Sequence, residues 1–142
     1  MLAQAARRDA QAGFSLIELL AVILIVGVLA AIALPLLLSQ QAKGQDANAK
    51  HDARNVAGAV EACDVDSETY QACTDPTDLH SAGVAFGSSK GEVEVKAPDA
   101  RQYTITAHSR SGTDFVLARV TGGQQRTCTS SGHGGCHDDG GW

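Results

Sequence analysis

The sequence predicts an α+β fold: one long N-terminal helix, its first half transmembrane, packed through its second half on a small antiparallel sheet of three or four strands. Three observations predict it. Residues 14–38 are apolar throughout except for one ionisable side chain, Glu18. Small apolar residues then recur at helical spacing as far as Ala62. Beyond residue 91, three short stretches alternate apolar and polar side chains.

Residues 1–13 read as a polar leader containing Arg7 and Arg8. The apolar run that follows, about 25 residues at roughly 1.5 Å each, reaches about 37 Å and exceeds a hydrocarbon core of roughly 30 Å. An acid at that depth costs about 2.5–3.5 kcal/mol even on lenient insertion scales, so Glu18 requires a partner. Arg7 and Arg8 precede the run and Lys43 is the first basic residue after it, which places the N-terminus in the cytoplasm. An ordinary secretory signal is the competing reading, with 30–33 as its small-residue cleavage site.

Residues 39–62 continue the helix as its amphipathic half. Ala42, Ala49, Val56 and Cys63 recur every seven residues, and Ala53, Ala57 and Val60 fill the same side. Asp46 and Lys50 are assigned to the polar remainder as an i,i+4 pair. Gly27 and Pro35 lie inside the helix, where proline removes a hydrogen bond and clashes with the carbonyl of Ala31, giving a kink or a melted turn.

Composition changes at 63–91 to Asp, Ser, Thr, Gly and Pro, which reads as a connecting loop with a short helix starting at Asp75-Pro76. The sheet is assigned to 92–129, with strands at 92–97, 103–109 and 114–120. Glycines from Gly122 onward argue against regular structure in the tail, and 130–142 reads as a Gly-rich C-terminal loop. The net charge of −5, near −6 without the leader, gives no strong signal for nucleic acid. Four cysteines, all after the apolar run, fit an oxidising compartment.

Gly13-Phe14-Ser15-Leu16-Ile17-Glu18-Leu19-Leu20 after a basic leader resembles the processing and assembly motif of type IV prepilins and pseudopilins. The resemblance implies cleavage between Gly13 and Phe14 by a prepilin peptidase, N-methylation of Phe14 and an assembly role for Phe14 and Glu18. It also matches Pro35 to a proline of the family's first helix, near which the segment from Gly27 can stretch. The partners implied are identical and related pilin subunits, the prepilin peptidase/methyltransferase and the assembly machinery of the cytoplasmic membrane. The location implied is that membrane first and an extracellular pilus after assembly. Within the same class, a type II secretion pseudopilin is the alternative. Outside it stand a DNA-uptake minor pilin and a membrane-anchored binding domain that never polymerises.

Four cysteines allow three connectivities. Local pairing, Cys63–Cys73 and Cys128–Cys136, is preferred because it pins the loop to the helix end and staples the tail; the resemblance adds that many pilins close a C-terminal loop this way. Cys128, His133, Cys136 and His137 are a weaker zinc alternative, lacking the usual knuckle spacing. Asp64, Asp66 and Glu68 resemble the start of a calcium loop without its glycine. Asp138 and Asp139 are a second weak calcium candidate, suggested by the pseudopilin resemblance. No metal, cofactor or catalytic residue is expected, and His51, His80 and His108 lack evident partners.

Overall fold

The computed structural model describes residues 14–79 and 82–142; the leader, including Gly13, and His80 lie outside them. Helix α1 covers Leu16–Ser67 and passes without a break through Gly27 and Pro35. Strands β1 (Val93–Asp99), β2 (Gln102–His108), β3 (Asp114–Val120) and β4 (Gly123–Cys128) follow, in sheet order β1-β2-β3-β4 with every pairing antiparallel. The chain divides into two compact units, residues up to Leu37 and Leu38–Trp142.

In the second unit the alanine-rich stripe does what its spacing predicts. Ala49, Ala53, Val56, Ala57 and Val60 are buried with Tyr103, Ile105 and Ala107 of β2 and Phe115 and Leu117 of β3. Small helix residues let the sheet approach closely, and the aromatic bulk comes from the strands. Val93, Leu79, Tyr70, Cys73 and Cys136 complete the core.

Several local expectations need correction. The helix ends at Ser67 rather than near Ala62. Ser67 Oγ donates back to the Cys63 carbonyl at 2.8 Å, and Glu68, at φ 57, supplies the left-handed residue that stops the helix. The final turn buries little apolar surface, so the stripe that marks the helix gives out before the helix does. No helix starts at Asp75-Pro76. Asp75 Oδ1 instead accepts from the backbone and hydroxyl of Thr77, closing a single turn, while a 3-10 turn forms at Tyr70–Ala72. The glycine-rich tail does contain regular structure, since β4 pairs with β3 along its length from Val120↔Gly123 to Phe115↔Cys128. Gly122 at φ 107 and Gly123 at φ 142 allow the tight reversal that puts it there.

Candidate assembly segment and its supporting domain

The helix start is built by its own side chains. Ser15 is the capping residue: the Ile17 amide donates to its Oγ at 3.4 Å. Glu18 reaches back so that its Oε2 accepts the Ser15 amide at 2.9 Å. Ser15-Leu16-Ile17-Glu18 is thus a reciprocal capping box, and its acid also sits where the positive end of the helix dipole favours a negative charge. The Ser-x-x-Glu pattern is visible in the sequence, although the membrane setting drew attention to Glu18 alone.

The large apolar side chains after this cap are exposed among the described residues. Phe14 is 89% exposed, Leu38 is 64% exposed, and the large side chains between them are similarly open. Helix α1 is long and apolar enough to cross a membrane, and none of its most apolar window is buried in the chain. Such an apolar surface is unfavourable in water and marks a membrane or helix-contact surface.

In the second unit, Asp46 is the main buried polar junction. This residue is 1% exposed, not on the polar face. Its Oδ1 accepts from the hydroxyls of Ser109, at 2.7 Å, and Ser111, and its Oδ2 accepts the Gly135 amide at 2.9 Å. Lys50 Nζ donates to the Gly135 carbonyl. Helix, β2–β3 turn and C-terminal loop therefore meet at one carboxylate. A side chain at Gly134 would run into Asp46 Oδ2, so this close approach requires glycine. Burial lowers the Lys50 pKa, Asp46 opposes that shift, and Arg54 adds to it.

Disulfides join Cys63 to Cys73 and Cys128 to Cys136. The first ties the helix end to the 3-10 turn, and the second closes the loop whose Gly135 meets Asp46. Trp142 fixes the chain end, its Nε1 donating to the carbonyls of Val116 and Thr127, with its ring edge-on to Phe115 at 5.9 Å. Glu61 accepts from the hydroxyls of Tyr70 and Tyr103, both at 2.9 Å, and from Arg119 at 3.4 Å. Burial, followed by the hydrogen bond to Glu61, raises both tyrosine pKa values.

The histidines also differ from expectation. His108 has a partner, Asp114 Oδ1 at 2.8 Å, and its side chain is only 18% exposed. His51 contacts Asn55 and Asp52. Among the described residues, no three His, Cys, Asp or Glu side chains converge in a metal-binding arrangement. Cys128 and Cys136 are paired with each other, which leaves the zinc alternative without free thiolates.

Residues 8–34 match the family model described as the prokaryotic N-terminal methylation motif. This match supports a place in the type IV pilin-type prepilin family, and the helix-on-sheet layout is pilin-like. The motif points to a structural protein whose general partners are pilin subunits and a prepilin peptidase. No curated protein matches the chain.

Proposed function

We propose that the chain is a structural subunit of a type IV pilus, polymerising through its apolar N-terminal helix into an extracellular filament. The observation that carries this reading is the uncovered apolar segment headed by Glu18. In the scheme, 1–13 are removed between Gly13 and Phe14, Phe14 is methylated, and 14–38 hold the subunit in the cytoplasmic membrane, N-terminus inside. Residues 39–62 join that anchor to the domain. The loop of 63–91, the sheet region of 92–129 and the C-terminal loop of 130–142 form the outer layer. Assembly transfers the apolar helix from lipid to a bundle of like helices.

Cleavage creates a charged amine at Phe14, four positions before Glu18. An α-amine has a reference pKa of about 7.7–8.0 and remains protonatable after methylation. Pairing that amine with a neighbour's Glu18 removes the cost of two isolated charges in low dielectric and selects the correct register. In the single subunit the carboxylate rests on the Ser15 amide, so it is held in place before a neighbouring amine arrives. Gly27 and Pro35 are the points at which the helix kinks or yields under tension. The disulfides Cys63–Cys73 and Cys128–Cys136 brace the outer domain.

Glu18→Ala tests the proposal. The variant is expected in the membrane at wild-type level and absent from filaments sheared off the cell surface. Normal filament yield from Glu18→Ala would contradict the assembly role.

A further inference from the structure

Between α1 and the β3–β4 side of the sheet lies a shallow groove of about 330 Å³. Buried Ala57, Tyr103 and Leu117 form its floor, and exposed Arg54 and Arg126 stand at its rim beside Gln124; Glu61 also lines it, its carboxylate taken up by Tyr70, Tyr103 and Arg119. Both guanidinium groups lie over the Trp142 ring, at 5.2 and 5.3 Å from its centroid. Neither forms an ion pair with a carboxylate among the described residues, whereas neighbouring Arg119 is engaged by Glu61. In a chain of net charge −5, two uncompensated arginines bordering an apolar floor make a local site for an anionic, partly apolar partner.

The same chain presents a complementary shape. Outside the apolar segment, Val65 is the one exposed large hydrophobic residue among those described, at 80%. Asp64 and Asp66 flank it, and Glu68 follows at the helix stop. Arg54, Gly58, Glu61 and Val65 follow one another at helical spacing along α1, so this knob lies one turn past the groove on the same helical face. A continuous helix cannot fold its own knob back into its own groove. A second copy carries both the exposed apolar side chain and the flanking acids that match the groove.

We propose that the Val65 knob of one subunit docks in the Arg54–Arg126 groove of the next, with Asp64, Asp66 and Glu68 meeting the two arginines. The inference rests on the filament reading for the parallel copies it joins. Knob and groove are different patches, so head-to-tail repetition leaves each free at opposite ends and builds an open chain.

The test is a full-length chain carrying Val65→Cys and Gln124→Cys, both exposed positions, expressed in cells and treated with a mild oxidant. Non-reducing gels of the membrane and sheared fractions should show dimers, trimers and higher species that disappear on reduction and exceed either single variant about tenfold, equivalent to about 1.4 kcal/mol. Adding Arg126→Glu should reduce this ladder to the single-variant level, and a further Asp66→Arg should restore it. Peptide mapping of both native disulfides verifies that each variant is folded. A wild type that yields sheared filaments with no ladder from the double-cysteine chain would overturn the docking and leave the filament reading standing. A ladder in membranes of cells that shed no filament would support docking between membrane-anchored copies, which are also parallel, and overturn the surface filament. A single dimer band would overturn head-to-tail docking.

Discussion

The two units of this chain solve opposite problems. Residues 38–142 bury their own core: the small residues of α1 are covered by the sheet, Asp46 has donors from two other segments, and the tail is held by a disulfide and by Trp142. Residues 14–37 satisfy only their backbone, through the helix and its capping box, and leave nearly every large side chain open. One region is completed by folding and the other by its surroundings. On the filament reading, a monomer built this way folds its second unit before assembly and reserves its apolar surface for lipid and then for neighbours.

Core and segment should therefore respond differently to the same truncation. Phe115→Ala in the core should cost about 3–5 kcal/mol, whereas Leu24→Ala in the open segment should change domain stability by less than about 0.5 kcal/mol. Thermal unfolding of the mature chain in detergent micelles, followed by near-ultraviolet circular dichroism, reads both. A comparable loss from Leu24→Ala would mean that the segment is part of the folded core.

Asp46→Ala should follow, because it leaves two hydroxyls and an amide without their acceptor at a buried position. A cost of about 2–4 kcal/mol, or a Tm lower by roughly 9–18 °C, is expected with membrane insertion unchanged. Replacing Cys63 and Cys73 together by Ser should cost about 2.7 kcal/mol through the unfolded chain, with the same pair change at Cys128 and Cys136, which close the shorter loop, just behind at about 2.5 kcal/mol. Denaturant midpoints measure these differences at constant slope.

The smallest effect concerns pH. Tyr70 and Tyr103 both have raised pKa values in the folded domain, so the native state holds those protons more tightly than the unfolded chain. Their contribution is complete below the ordinary tyrosine pKa of 10.0 and is lost as pH rises beyond it. The lowered Lys50 works in the opposite direction, gaining stability as pH climbs towards 10.5. Tyr103→Phe should flatten the alkaline loss of Tm between about pH 10 and 12 while costing about 1 kcal/mol at neutral pH. An unchanged alkaline slope would assign that loss to other groups.

The long helix and three strands were legible because each follows a strong period. Asp46 was misplaced by its chemistry rather than its position. It falls between Ala42 and Ala49 on the very stripe that identifies the core face, and an acid at such a position signals a buried polar anchor. Its partners Ser109, Ser111 and Gly135 are distant in sequence, and no local pattern names them. β4 was hidden for the opposite reason. Gly123–Cys128 has no apolar alternation and is exposed along most of its length, so it is a strand only because β3 offers an edge after the Thr121-Gly122 turn. At the candidate site, Glu18 was conspicuous as a charge in an apolar run. Its capping bond to Ser15 was equally local but less conspicuous beside the membrane argument.

On the filament reading, cleavage frees the Phe14 amine and the apolar segment is then exported within a filament. Intact mass of this protein in the fraction sheared from cells, with and without reduction, tests it most directly. The expected chain begins at Phe14, is heavier by about 14 Da for one methyl group and gains about 4 Da when two disulfides are reduced. A processed chain confined to the membrane would point to a pseudopilin or minor subunit, and an uncut chain beginning at Met1 would contradict the account.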